Sequence, residues 1–96
     1  MRGHLMAVIK WANKASKQMR AVDSRYIDRI LEKIELLQHF PDVQTDIIEL
    51  KGSNNKGLYR MRVGFYRILF EVIDGEPKII EVQEIKKRDE QTYRKH

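Results

Sequence analysis

Arg60, Arg62 and Arg67 are spaced to act together on an anion. They stand in the run Leu58-Tyr59-Arg60-Met61-Arg62-Val63, followed by Gly64-Phe65 and then Tyr66-Arg67-Ile68-Leu69-Phe70. Successive side chains of a strand point to opposite faces, so a strand here displays Arg60 and Arg62 on one face and Tyr59, Met61 and Val63 on the other. A two-residue turn at Gly64-Phe65, with glycine in its first central position, pairs Val63 with Tyr66 and sets Arg62 directly opposite Arg67. Like charges so placed repel, which predicts an anion between them. From Lys51 to Phe70 the cations are Lys51, Lys56, Arg60, Arg62 and Arg67, with no acid among them, and phosphate is the leading candidate.

The elements that position these side chains must come from one domain, residues 1–96, because a chain of 96 residues buries only about 60 to 65% of its unfolded surface and supports a single core. The absence of cysteine removes disulfides and thiolate chemistry and suits a reducing cytoplasm. His4, His39 and His96 lie far apart without metal-ligand spacing, so neither a metal nor another cofactor is expected. No apolar run approaches the ~18 residues of a membrane span, and the first residues lack a signal peptide's apolar stretch. Met1 to Leu5 are consistent with vector-derived residues ahead of a start at Met6.

The net charge of +5 matters through its distribution. Residues 1–20 carry Arg2, Lys10, Lys14, Lys17 and Arg20 without an acid, residues 21–50 are acidic on balance, and residues 86–96 are basic again. Such blocks predict a basic face and a near-neutral one, the electrostatic footprint of a nucleic-acid binder.

Leu5 to Trp11 reads as a short strand, with Asn13 as N-cap of a helix running to about Val22. Asp23 or Ser24 starts a second helix. Its apolar positions Ile27, Ile30, Leu31, Ile34 and Leu37 form a stripe down one face, and Pro41 ends it after Phe40. An acidic stretch from Asp42 to Asp46 precedes Ile47, Ile48 and Leu50, and the segment from Lys51 to Gly57 is rich in turn formers. Leu58–Val63, Tyr66–Ile73 and residues 78–85 read as strands. A two-residue turn at Asp74-Gly75 would set Glu71 opposite Lys78 and Leu69 opposite Ile80. The order predicts an α+β domain, an N-terminal strand and helical hairpin packed on one face of an antiparallel sheet, with the basic face open. By strand parity Tyr59, Tyr66 and Phe70 belong to the core rather than to a base-stacking platform.

Leu50-Lys51-Gly52, Leu58-Tyr59-Arg60-Met61-Arg62, Gly64-Phe65-Tyr66-Arg67-Ile68-Leu69-Phe70 and Lys86-Lys87-Arg88-Asp89-Glu90-Gln91-Thr92-Tyr93 together resemble the RelE/ParE superfamily of bacterial toxins, above all its RelE branch. The resemblance implies a RelE-like fold and the toxin of a type II toxin-antitoxin system. In that branch the toxin is an mRNA interferase, a metal-independent endoribonuclease (a hydrolase) that enters the ribosomal A site and cleaves mRNA, so inhibiting translation. Arg60 and Arg62 match two basic strand residues of the family, Arg67 the arginine of its Tyr-Arg pair, Arg88 the arginine of its late Lys-Arg motif, and Tyr93 the tyrosine that follows. These five are the candidate catalytic residues. Lys51, Lys56, Lys86 and Lys87 are candidate RNA-binding residues. The partners implied are a cognate antitoxin, the ribosome and mRNA.

Such cleavage needs the ribose 2′-OH to lose a proton and attack the adjacent phosphorus while cations stabilise the charge that builds on phosphate oxygens. Clustered guanidiniums supply the second requirement, but arginine is a poor base. Tyr93, beside Arg88 and Arg67, is the candidate base, or else it stacks on a nucleobase. Some relatives use a terminal glutamate and histidine, for which Glu84, Glu90 and His96 are the positions here. Two other readings stay open: a gyrase-inhibiting toxin of the ParE branch without nuclease activity, and an inactive module that only docks an acidic antitoxin.

Overall fold

The computed structural model describes residues 6–52 and 57–88. β1 (Val8–Trp11) leads into α1 (Asn13–Met19) and α2 (Ser24–Leu36), a 3-10 turn covers Leu37–His39, and β2 (Ile47–Glu49), β3 (Leu58–Val63), β4 (Tyr66–Ile73) and β5 (Ile79–Lys87) follow. The strands form one sheet in the order β1-β5-β4-β3-β2. β1 runs parallel to β5, and every other pair is antiparallel. Among the described residues no helix is long and apolar enough to cross a membrane. Residues 1–5, and with them the reading of a start at Met6, lie outside the described residues.

Local chemistry explains most element ends. Asp23 caps α2, its side-chain oxygen accepting the Arg25 backbone N–H at 3.0 Å. The Arg25 guanidinium also grips this carboxylate, and its hydrogen bonds, with that of the backbone N–H, hold the Asp23 pKa well below the usual range. α1 starts one residue differently from expectation: its N-cap is Ala12, without a side-chain bond, and it ends at Met19 rather than near Val22. The expected stripe is narrower than its spacing suggests, since Ile30 and Ile34 of α2 and Leu37 of the 3-10 turn after it are buried while Leu31 stays exposed.

The core lies between the helical hairpin and one sheet face. Ala15, Val22, Ile30, Ile34 and Leu37 meet Met61, Val63, Tyr66, Ile68, Phe70, Ile80, Val82 and Ile85. Phe70, fully buried, stacks on Tyr59 at 5.6 Å and meets Phe40 edge-on at 5.8 Å. Burying such a side chain contributes about 1.5–3 kcal/mol. Tyr66 is buried, and its hydroxyl accepts the Asp23 backbone N–H at 3.0 Å, fastening the β3–β4 hairpin to the start of α2. Tyr59, Tyr66 and Phe70 are thus spent on packing.

The β3–β4 register is the expected one: Val63 pairs with Tyr66 and Arg62 with Arg67. Gly64 has φ 60° while no non-glycine residue among those described has positive φ, as a glycine-first two-residue turn requires. The β4–β5 register is not the expected one. Ile73 pairs with Ile79 and Glu71 with Glu81, because the connection spans residues 74–78 rather than Asp74-Gly75 alone. Pro77 explains the difference, having no N–H to give to a ladder. Further along, Leu69 pairs with Glu84 but Phe70 with Val82, so Gln83 is an extra residue, a β-bulge. The bulge resets parity, letting both Val82 and Ile85 face the core while Glu84 and Lys86 turn to the open face.

Candidate nucleic-acid interface

Cross-strand pairing assembles the site. Arg62 pairs with Arg67 and Arg67 with Lys86, so three cations from three strands form one row on the helix-free face, about 10 Å from end to end at ~4.8 Å per strand. In the next row Ile48, Arg60, Leu69 and Glu84 follow in order. Asp46, Ile48, Arg60, Arg62 and Arg67 line a cleft of ≈ 210 Å³. Three arginines that the chain spaces over eight positions therefore converge on a single concavity, as the alternation and the turn predict.

The acid-free character read from the sequence does not extend to the folded site. Asp46, just before β2, sends its Oδ2 to the Arg62 guanidinium, accepting from Nε at 2.8 Å and lying 2.7 Å from the terminal NH2. The Arg62 backbone N–H also donates to the Asp46 carbonyl at 2.9 Å. The like-charge pair is relieved partly by this internal carboxylate. A second one, Glu84, accepts from Lys14 Nζ at 3.1 Å and lies 3.5 Å from Lys86 Nζ. The Lys14 ammonium, hydrogen-bonded to it, holds the Glu84 carboxyl below its ordinary range, and Lys86 adds to the effect.

The remaining expected residues are distributed more widely. Arg88 follows β5 and its backbone N–H donates to Phe65 O at 2.7 Å, which sets it at the tip of the β3–β4 hairpin. Lys87 pairs with Tyr66 and so lies on the helix side, near enough to Asp23 to favour its ionised form. Lys51 lies beyond the Leu50–Leu58 backbone bond, at the end of β3 away from Arg62, roughly 13 Å along the strand at ~3.3 Å per residue. It belongs to a different part of the surface. Lys56, Tyr93, Glu90 and His96 lie outside the described residues. Asp46 and Ile48 are the site residues that sequence reasoning missed. Their one signal is an i, i+2 spacing matching that of Arg60 and Arg62.

A two-helix layer on a five-stranded, mostly antiparallel sheet with an open basic face is the RelE-like α+β fold, and solved structures of toxins share it. The toxin-antitoxin complex RelE-RelB of Pyrococcus horikoshii OT3 superposes with a TM-score of 0.69 at 25% identity, over 86% of this chain and 96% of that one. The RelB-RelE complex of Methanococcus jannaschii gives 0.68 at 28% identity, over 88% and 95%. The isolated E. coli RelE toxin gives 0.69 at 20% identity, over 92% and 97%, a likeness of fold. No curated protein matches the sequence itself. The family model of the ParE toxin of the type II toxin-antitoxin system parDE matches residues 9–92. The chain belongs to this family, within the RelE/ParE superfamily of type II toxins.

Proposed function

We propose that this toxin is a ribosome-dependent mRNA interferase, cleaving mRNA in the A site by attack of a ribose 2′-OH on the adjacent phosphorus. The observation that carries the reading is the convergence of Arg60, Arg62 and Arg67 on one cleft with Lys86 at the end of their row. Guanidiniums fixed by strand pairing stabilise a pentacoordinate phosphate without reorganising when charge develops. Arg67 and Arg62 bind the scissile phosphate in this scheme, Arg60 and Lys86 the flanking backbone. Arg88 approaches from the hairpin tip, and Tyr93 takes the proton or stacks on a base. Lys51, Lys56 and Lys87 meet RNA outside the cleft. The described face pairs no free acid with a free base, so the ribosome supplies the in-line RNA geometry, and the toxin acts in the cytoplasm. Neighbours solved as complexes with RelB support a cognate antitoxin as partner.

The match to the ParE family favours a second reading, a gyrase-inhibiting toxin without nuclease activity. One experiment separates the two. Purified toxin is added to a translating extract, mRNA ends are mapped by primer extension, and plasmid supercoiling by gyrase is followed in parallel. Cuts in register with codons, absent when ribosomes are removed, support the interferase. Impaired supercoiling with intact mRNA supports gyrase inhibition. Efficient cutting of a short free oligonucleotide overturns the ribosome requirement.

A further inference from the structure

We infer that Asp46 is an internal competitor for the phosphate site: its carboxylate holds the Arg62 guanidinium in the cleft and yields it when a ligand phosphate arrives. The inference deepens the phosphate-binding reading and rests on it. The Asp46 oxygen engages both Nε and a terminal nitrogen of Arg62, at 2.8 and 2.7 Å. Those are the donors that a phosphate oxygen pair uses in a fork geometry. Asp46 also lines the same cleft as Arg60 and Arg67, so the carboxylate stands where an anion would be drawn by all three. A backbone bond from Arg62 N to Asp46 O fixes the two residues in register independently of the side chains. The pair can open without unzipping the sheet.

Opening is easy because the pair is well hydrated. The Arg62 and Asp46 side chains are 62% and 51% exposed, and ion pairs of that kind contribute little. The carboxylate nevertheless serves two ends. It offsets the Arg62–Arg67 repulsion while the cleft is empty, and it keeps the guanidinium aimed inward instead of into solvent. Its release is offset when the arriving phosphate engages Arg60 and Arg67 as well.

The test compares Asp46→Asn with the parent, using inorganic pyrophosphate and a 2′-deoxy oligonucleotide that cannot be cleaved by 2′-OH attack. Asn keeps the shape and the backbone bond. Arginine Nε–H signals in ¹H–¹⁵N spectra report on Arg62 directly. The variant should bind both probes about twofold to fivefold more tightly, the equilibrium equivalent of one exposed ion pair. In an Arg62→Ala background the same substitution should change affinity by less than twofold. Equal or weaker binding by Asp46→Asn overturns the inference. So does an unchanged gain in the Arg62→Ala background, which would make Asp46 a general field rather than a holder of Arg62. Unaltered affinity with a hundredfold slower cleavage would make it a proton acceptor instead and likewise overturns it. The pyrophosphate titration needs no ribosome or cleavage, so its outcome stands whether or not the interferase reading does.

Discussion

Arg67 occupies the centre of the cation row, with Arg62 on one side and Lys86 on the other, and it lines the cleft with Arg60. Truncating it to Ala removes a charge that, under the proposed mechanism, stabilises the transition state, and leaves the buried core untouched. Single-turnover cleavage on ribosomes should fall by ~10² to 10³, the usual loss for one such stabiliser, with an unchanged thermal midpoint. Arg88→Ala should fall in the same range; rates within a few-fold of the parent would remove either residue from the chemistry. Glu84 gives a prediction in pH. Its folded pKa is depressed by Lys14 first and Lys86 second, so its stabilising share is present above the unfolded value of ~4.3 and is lost as pH falls through the folded one. Replacing it with Gln should lower stability at neutral pH while flattening the acid limb below about pH 4.3. An acid limb unchanged by Glu84→Gln, followed by chemical denaturation across pH, would show that the Lys14 contact has no thermodynamic weight. Arg60, Arg62 and Arg67 were legible from type and alternation, Arg88 only through the family resemblance. Asp46 was not, because its partner depends on how β2 registers against β3, and the turn-forming segment between them hides that register.

At the scale of elements, the β3–β4 hairpin carries the site and its turn is the vulnerable point. Gly64 has φ +60°, and a Cβ there would stand 3.0 Å from Tyr26 Cε1. Gly64→Ala should destabilise the fold by about 1–2 kcal/mol, the cost of a left-handed conformation in an L-residue, and should lower cleavage by loosening the Arg62–Arg67 register. Denaturant unfolding checks the first and single-turnover kinetics the second. An unchanged unfolding midpoint would mean that the turn relaxes. This hairpin could be read in advance because the glycine, the two-residue gap and the apolar alternation all agree. The β4–β5 pairing could not. Asp74-Gly75 is an attractive turn signal, but Pro77 lengthens the connection, and the bulge at Gln83 changes parity inside a strand whose residues look regular. β2 was equally obscure: three residues at a sheet edge, with Ile48 and Glu49 exposed, offer almost no pattern. Bulges and short edge strands arise from pairing with distant residues, and local periodicity does not encode them.

For the whole molecule, charge segregation has a kinetic consequence. The open face presents the Arg62, Arg67 and Lys86 row, so an acidic antitoxin segment should be steered to it, and association should slow steeply with rising salt while dissociation, governed by apolar anchors, changes less. Stopped-flow mixing across a salt series measures both; association indifferent to salt would place the grip elsewhere. The helical hairpin is the alternative grip, and a cleft of ≈ 510 Å³ runs between its α2 and β1, lined by Val8, Ile9, Trp11, Leu31 and Ile34 among others. The sheet order has an effect in time as well. β1 rests against β5, Val8 beside Ile79, so the first strand made waits for the last one. At the ~5–20 residues per second of synthesis, the end of β4 at Ile73 is joined to the chain roughly 0.7 to 3 s before the end of β5 at Lys87. Throughout that interval the growing chain holds the arginine-bearing segments but neither Lys86 nor the strand that flanks β4 and seats β1. The cation row and the seat of β1 are therefore completed together, by one and the same strand.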